Sequence, residues 1–231
     1  MIRSRRHKNR RNFGSRRPDR QGAGRSGRST SQRQGSRNQS TVKLDKPIVL
    51  IGLMGVGKTT IGRRLSRSIG VGFVDSDHEI EKAAQMSVAE IFDSYGEDEF
   101  RAVERRVINR LMQGKPKVIA TGGGAFMNEE TRALIKKEAT TIWLNADIDV
   151  LVERTSRRDT RPLLKKGNPE DILRNLAAER NPIYAESTLQ VRSSDGPHEI
   201  VVANMVKILR AYYKKIRKSH PPEGEKKAKE S

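Results

Sequence analysis

The sequence predicts an α/β fold in which a parallel β-sheet carries helices on both faces. Strand-like and helix-like segments alternate over residues 46–213, the strands are short and apolar, and a glycine-rich turn joins the first strand to the first helix. In such sheets, ligands bind at the carboxyl ends of the strands. We therefore expect the functional residues to lie at that edge.

The first elements follow from local signals. The strand at 48–51 is an apolar run, and Gly70 closes the helix at 59–69. A short strand at 72–74 runs into a helix at 78–84.

The later elements continue the alternation. A capping box, Ser87 followed by Glu90, begins a helix at 87–94, and apolar residues at roughly helical spacing predict a longer helix at 97–112. The remaining segments are strand 118–120, helix 129–136, strand 140–144, helix 147–156, helix 169–180, strand 189–191 and helix 197–213.

The charge of the chain lies at its two ends. Of the formal net charge of +19, residues 1–46 carry +13, residues 214–231 carry +4, and the 167 residues between them carry +2. We therefore expect a disordered basic arm at 1–45, one near-neutral globular domain at 46–213 and a disordered charged tail at 214–231.

Composition excludes several classes of protein. The chain has no cysteine, which excludes a disulfide framework or a thiolate metal site and fits a reducing compartment, so we expect a cytoplasmic location. No apolar stretch is long enough to span a membrane, and the polar N-terminus does not resemble a secretory signal. The basic arm leaves two roles open: weak binding of RNA or another polyanion, and an organelle transit peptide, which its shortage of apolar residues disfavours.

A phosphate-binding loop follows the first strand. Residues 52–59 read G-L-M-G-V-G-K-T, the pattern whose backbone N–H groups cradle the phosphates of a nucleoside triphosphate. Lys58 would bring charge to the β- and γ-phosphates, and the next helix would point its positive dipole end at the same anion. A glycine turn with an incidental lysine is the alternative, but it would not need a strand before it and a helix after it. The expected nucleotide contacts are Gly55, Val56, Gly57, Lys58, Thr59 and Thr60.

Two acidic residues follow the second strand. Asp75 could bind Mg²⁺ through its water shell, together with the Thr59 hydroxyl, because Mg²⁺ prefers oxygen ligands. Asp77 could orient an acceptor hydroxyl or remove its proton. The alternative is that both are solvated loop acids, with Asp77 capping the helix that begins at His78.

Three further features have two interpretations each. Arg101 could bind an anionic substrate group while Glu104 orients it, although spacing alone favours a simple ion pair along the helix. Three consecutive glycines, Gly122, Gly123 and Gly124, indicate close approach of another molecule to the backbone, or else a flexible turn. Arg180 is either a helix C-cap before Pro182 or a second clamp on an anionic substrate.

The arginine-rich stretch at 154–164 also has two interpretations. A run of charge is usually a solvated surface. It could equally be a mobile lid, spanning about residues 154–168, that brings an arginine to the γ-phosphate.

Taken together, these motifs resemble the shikimate kinase family over residues 46–213. The matching features are the phosphate loop, Asp75-x-Asp77, Phe100-Arg101-x-x-Glu104, Thr121-Gly122-Gly123-Gly124, Arg161-Pro162-Leu163-Leu164, and Arg180 before Pro182-x-Tyr184. The resemblance implies a phosphate-loop kinase architecture like that of nucleoside-monophosphate kinases. It also implies transfer of the ATP γ-phosphate to the 3-hydroxyl of shikimate, on the route to chorismate and aromatic amino acids, with Mg²⁺ as cofactor.

The resemblance also implies residue roles. Thr59 and Asp75 correspond to the magnesium side of the site, and Asp77 corresponds to the residue that binds the reacting hydroxyls. Arg101, Gly123 and Arg180 correspond to the substrate clamp. Arg161 resembles the lid arginine that reaches the phosphates, and Arg154 resembles an adenine-stacking residue. The family's late adenine-contacting loop would lie at about 195–197, where the sequence match is weak.

Two alternative functions stay open. One is another small-metabolite kinase of the same architecture, such as a gluconate kinase; a neutral polyol substrate would not need both Arg101 and Arg180 for a carboxylate. A nucleic-acid-binding protein is suggested by the isoelectric point of about 10.5, but the core is near neutral. We expect a monomer.

Overall fold

A computed structural model describes residues 42–156 and 167–219 of the 231-residue chain. Five strands and seven helices fall within these ranges. They are β1 (Ile48–Ile51), α1 (Lys58–Ile69), β2 (Gly72–Asp75), α2 (Ser76–Ala84), α3 (Val88–Met112), β3 (Lys117–Ala120), α4 (Glu129–Glu138), β4 (Thr140–Asn145), α5 (Ile148–Ser156), α6 (Pro169–Tyr184), β5 (Leu189–Arg192) and α7 (His198–Ser219).

The strands form one parallel sheet in the order β2-β3-β1-β4-β5. This confirms the predicted α/β class. Because every strand runs in the same direction, the loops that follow β1, β2 and β3 all leave the sheet at one edge. The phosphate loop, Asp75 and the three glycines are therefore neighbours although they are far apart in sequence.

The core is densest around the central strand. All four residues of β1 are at most 1% exposed, so it is covered on both faces, as expected of a central parallel strand. Helix α1 packs closely on the sheet at Gly62, where the Cβ of an alanine would come within 2.7 Å of the Phe73 ring. This glycine sets how near the helix that follows the phosphate loop lies to the sheet.

The span of α3 contains two helical segments that meet at a kink. The kink lies at Gly96, whose backbone is not helical, and it separates the helices predicted at 87–94 and 97–112. Gly96 has φ 81°, a backbone conformation that favours glycine. The predicted capping box is confirmed, since the Ser87 side chain accepts from Glu90 N–H and the Glu90 carboxylate accepts from Ser87 N–H.

The described domain is longer at both ends than predicted. Val42 is buried, and Arg217 Nη2 donates to the backbone oxygen of Lys43 at 2.6 Å. Helix α7 continues to Ser219 rather than ending at 213. Val42 and residues 214–219 therefore pack with the domain although they lie just outside the predicted bounds of 46 and 213, which rested on charge.

Several predictions lie outside the described residues: those for the arm at 1–41, for the central part of the lid at 157–166, and for the tail at 220–231. Within the described residues, no helix combines the length and apolar character needed to cross a bilayer.

Candidate active site

A cavity of about 390 Å³ opens at the carboxyl edge of the sheet. Its walls come from the ends of β1, β2 and β3 and from the helices that flank them. The lining residues are Met54, Gly55, Gly57, Lys58, Thr59, Thr60, Asp75, Asp77, Thr121, Gly122, Gly123, Arg154 and His198.

The phosphate loop forms one wall of this cavity. Gly55 and Gly57 have φ of 82° and 94°, and an alanine Cβ at Gly55 would come within 2.8 Å of the Thr155 methyl. Gly57 is the N-cap of α1, so the first, positively polarised turn of that helix lies at the cavity. Lys58 Nζ donates to the backbone oxygens of Gly52 and Leu53 at 2.6 and 3.0 Å, which holds the ammonium within the loop.

Thr59 and Asp75 meet beside the loop. The Thr59 hydroxyl donates to Asp75 Oδ2 at 2.7 Å, although the two residues lie on α1 and β2. Asp75 Oδ1 accepts from Asp77 N–H at 3.2 Å and is the N-cap of α2. The helix therefore begins at Ser76, two residues earlier than predicted, and the suggestion that Asp77 caps it is wrong.

Asp77 does not cap the helix, and its side chain lines the cavity. Burial raises the pKa of its carboxyl group, the nearby Asp75 charge raises it further, and Lys58 works in the opposite direction. The carboxylate lies against the glycine turn, because an alanine Cβ at Gly122 would come within 2.7 Å of Asp77 Oδ1. A partly buried carboxylate with a raised proton affinity is suited to accepting a proton from a hydroxyl group.

Arg101 pairs with carboxylates on its own helix. Its Nη1 donates to Glu104 Oε2 at 2.7 Å and its Nη2 to Glu97 Oε1 at 2.9 Å, while the guanidinium lies over the Phe92 and Phe100 rings. The ion pair of the simpler interpretation is thus present.

The same guanidinium also reaches the glycine turn, because an alanine Cβ at Gly124 would overlap it. Glu104 is 1% exposed. Burial raises the pKa of its carboxyl group, and Arg101 opposes the rise. Glu104 therefore holds Arg101 at the edge of the site.

Arg180 and Tyr184 converge on one backbone oxygen of the glycine turn. Arg180 Nη1 donates to Gly123 O at 3.3 Å, and the Tyr184 hydroxyl donates to the same atom. Helix α6 continues through Pro182 to Tyr184, so the prediction that Arg180 ends the helix as a C-cap is wrong. The Arg180 Nε is buried without a hydrogen-bond partner, which leaves a donor that a bound anion could satisfy.

Tyr184 was not among the predicted site residues. Its side chain is fully buried and packs against Trp143, and burial raises the pKa of its hydroxyl to about 12. It therefore stays a hydrogen-bond donor at ordinary pH. The signal in the sequence was its position, four residues after Arg180 and thus on the same face of one helix.

Arg154 lies between the main cavity and a second one. Its Nη1 donates to Ser193 Oγ at 3.1 Å and its Nη2 to Ser194 O at 2.8 Å, which fixes it against the loop after β5. The second cavity, of about 530 Å³, is lined by Arg64, Glu153, Arg154, Asp195, Gly196, Pro197, His198 and Glu199. The structure thus brings the loop at 195–197 next to the main cavity. Arg161 lies outside the described residues.

His198 is a second residue that the sequence analysis missed. Its ring lines both cavities, and its Nδ1 is buried without a hydrogen-bond partner. Burial lowers the pKa of the imidazole, and the charges of Arg154 and Arg64 lower it further. A neutral ring is therefore placed close to the phosphate loop, since a Cβ on Gly57 would lie 3.9 Å from its Cε1.

Comparisons with known proteins agree with this geometry. A family model described as shikimate kinase matches residues 54–210. A shikimate kinase of Rhizobium meliloti is 54% identical over 159 residues, covering 69% of this chain and 83% of that protein. One of Brucella canis is 49% identical over 170 residues, covering 74% and 85%. The solved structure of shikimate kinase from Acinetobacter baumannii in complex with shikimate has a TM-score of 0.69 at 36% identity and covers 72% of this chain and 94% of that one.

Proposed function

The chain belongs to the shikimate kinase family, and from this premise we propose that its cavity transfers the γ-phosphoryl group of ATP to the 3-hydroxyl of shikimate, a step of aromatic amino-acid biosynthesis. One observation carries the assignment. The phosphate loop, Asp77 and the glycine turn line a single cavity at the carboxyl edge of the sheet. A donor phosphate and an acceptor hydroxyl can therefore meet beside one carboxylate, that of Asp77.

The nucleotide occupies the side of the cavity formed by the phosphate loop. Backbone N–H groups of Gly55, Val56 and Gly57 and the first turn of α1, with Thr60, surround the phosphates. When the nucleotide binds, the Lys58 ammonium would move from the backbone oxygen of Gly52 to the β- and γ-phosphates. Arg154 and the loop at 195–197 border the adjoining cavity, which suits the nucleoside, and Arg161 is assigned to the phosphates on its sequence motif alone.

Mg²⁺ fits the oxygen pair formed by Thr59 and Asp75. Their side-chain oxygens lie 2.7 Å apart beside the phosphate loop, and Mg²⁺ is usually held by one or two protein oxygens together with phosphates and water. The ion would neutralise charge on the β- and γ-phosphates. We propose this role from the side-chain oxygens that Thr59 and Asp75 offer as ligands.

The acceptor lies on the other side of Asp77. Arg101 and Arg180 approach the glycine turn from α3 and α6, and two guanidinium groups suit the carboxylate of shikimate. A neutral polyol has no carboxylate for these two guanidinium groups to bind. Gluconate, the substrate of the alternative kinase, does carry one, so the substrate assay below distinguishes the two kinases. Gly122, Gly123 and Gly124 let the ring approach the backbone closely.

The reaction is then a direct transfer. The 3-hydroxyl oxygen attacks the γ-phosphorus, the bond from that phosphorus to the β–γ bridging oxygen breaks, and ADP leaves. The hydroxyl proton passes to Asp77, whose raised pKa favours accepting it. Lys58 stabilises negative charge on the phosphates during the transfer.

A coupled ADP-release assay tests the proposal. The full chain should release ADP with shikimate and Mg·ATP, and not with gluconate, other polyols or nucleoside monophosphates. Lys58→Ala should abolish the release, whereas Lys82→Ala, at an exposed lysine on α2, should leave it unchanged. Equal activity on gluconate, or near-normal turnover of folded Lys58→Ala, would overturn the assignment.

Three further properties are proposed more generally. The cysteine-free composition supports a cytoplasmic location. A monomer stays our prediction, to be tested by light scattering. Weak binding of polyanions by the arm at 1–41, which carries 13 Lys and Arg, also stays a prediction and should weaken as salt rises.

A further inference from the structure

A second concave surface lies away from the phosphate loop. This cavity of about 340 Å³, which we call the basic groove, is lined by Val42, Lys43, Arg210, Tyr213, Lys214, Arg217 and Lys218. Five of these seven side chains are Lys or Arg, and none of the described residues that line it is acidic.

The basic groove lies at the amino edge of the sheet, opposite the kinase site. Lys43 precedes β1, and the Tyr213 hydroxyl lies 2.9 Å from Oγ1 of Thr140, the first residue of β4. The strands are parallel, so both contacts mark the edge where the strands begin. A ligand in the groove would therefore leave the kinase site open.

Four of the cations form a stripe on α7. Arg210, Lys214, Arg217 and Lys218 have the i, i+4, i+7, i+8 spacing that places residues on one helical face, and all four are exposed. Residues 200–219 themselves contain no Asp or Glu, and the charge of Asp45, which precedes β1, acts on Tyr213 in the groove. Like charges at this spacing repel one another and destabilise a helix.

The helix dipole explains only part of this stripe. It favours cations in the last turn of a helix, which here ends at Ser219. Arg210 and Lys214 lie further back, and Lys43 comes from another segment of the chain. The Arg217 bond to the Lys43 backbone oxygen fixes that segment against the helix, so the groove is a built feature rather than a chance run of charge.

The charge and length of the groove suit a polyanionic strand. From Arg210 to Arg217 the helix rises about 10 Å, so the stripe can contact more than one phosphate of a strand laid along it. Among the described residues the exposed large hydrophobics are Tyr95 and Ile200, and neither lines the groove, whereas helices that bind membrane surfaces insert apolar side chains. We propose that the basic groove binds single-stranded RNA through its phosphate backbone.

The test compares two variants of the full chain that change its net charge equally. The groove variant is Arg210→Gln, Lys214→Gln and Lys218→Gln, which keeps Arg217 and its backbone contact. Glutamine is a good helix former, so α7 should persist.

The control variant is Lys82→Gln, Arg106→Gln and Lys115→Gln. These three cations are exposed and lie outside the groove. The basic arm contributes equally to both variants.

Binding of a short fluorescein-labelled single-stranded RNA is measured by anisotropy over a range of salt. The groove variant should bind about tenfold more weakly, and its log–log salt slope should fall by about 2, since each phosphate contact to a single strand contributes about 0.7. The control should stay within about twofold. Photo-crosslinking of thiouridine-labelled RNA should map to peptides of α7.

Equal losses in the two variants would overturn the proposal, because binding would then follow net charge alone. So would stronger binding to anionic vesicles than to RNA, or crosslinks confined to the arm. Shikimate kinase activity should be the same in both variants and the parent chain. This separates the proposal from the kinase assignment.

Discussion

Removing the Tyr184 hydroxyl tests how the glycine turn is held. In Tyr184→Phe the ring keeps its packing against Trp143, while the hydroxyl loses its bond to the Gly123 backbone oxygen and its hydrogen bond with Arg180. The Gly123 oxygen retains Arg180 Nη1 at 3.3 Å, so it is not left without a donor. The change therefore removes only the contacts that this hydroxyl makes at the glycine turn.

The magnitude follows from this geometry. Loss of a buried hydroxyl whose acceptor keeps a second donor should lower the free energy of unfolding by about 1 kcal/mol. For a domain of this size, that corresponds to a fall in Tm of roughly 2–4 °C. Because Gly123 belongs to the proposed acceptor side of the cavity, the KM for shikimate should rise about 3–10-fold, with little change in the KM for ATP.

The matched control is Tyr213→Phe. Tyr213 is also buried, and its hydroxyl makes a contact to Thr140 Oγ1 at 2.9 Å, but at the opposite edge of the sheet. It should lose similar stability while both KM values stay constant. Thermal unfolding and steady-state kinetics on both variants provide the measurements. If Tyr184→Phe lost stability with an unchanged KM for shikimate, the reasoning about the glycine turn would fail.

Three more predictions concern the site. Asp77→Asn should lower kcat by on the order of 10²-fold. Because burial raises the pKa of Asp77 in the folded state, its ionisation destabilises the fold as pH rises through that pKa. The variant should therefore have a higher Tm than the parent at neutral pH. This difference in Tm should disappear below about pH 3.8, where the carboxyl group is protonated in both the folded and the unfolded parent. A lower Tm of the variant at neutral pH would contradict this. Arg101→Ala should raise the KM for shikimate by an amount equivalent to about 2–4 kcal/mol. The variant enzyme should also discriminate less against a substrate analogue that lacks the carboxylate. Equal losses on both substrates would indicate a purely structural ion pair. His198→Ala should raise the KM for ATP a few-fold while the KM for shikimate stays constant, and an unchanged KM for ATP would remove His198 from the nucleotide side.

Much of the fold could be predicted because local signals and tertiary packing agree. The strand β1 lies within its predicted bounds, and Gly70 ends α1 in a left-handed conformation. The local sequence could not predict which of Asp75 and Asp77 caps α2 and which faces the cavity. In the structure Asp75 caps α2 through one carboxylate oxygen and accepts from Thr59 on α1 through the other, and the second contact joins residues far apart in sequence.

At the end of α6 the local sequence signal gave a wrong prediction. Pro182 predicts that the helix stops, because proline lacks the N–H for the bond to residue 178. The helix nevertheless reaches Tyr184, which is fully buried beside Trp143 and bonded to Gly123. Tertiary anchoring offsets one missing bond in a last turn, and no local pattern reports that anchor. His198 was missed for a similar reason, since only folding brings the start of α7 beside the phosphate loop.

The way the chain enters and leaves the described domain has a practical consequence. Lys43 and Arg217 hold the first described segment against the end of α7, so both attachment points lie at the edge where the strands begin. A fluorescent protein, an affinity tag or a second enzyme fused ahead of Val42 or behind Ser219 would emerge facing away from the nucleotide and acceptor cavities. A fusion to another enzyme at these two points should therefore leave the catalytic edge uncovered.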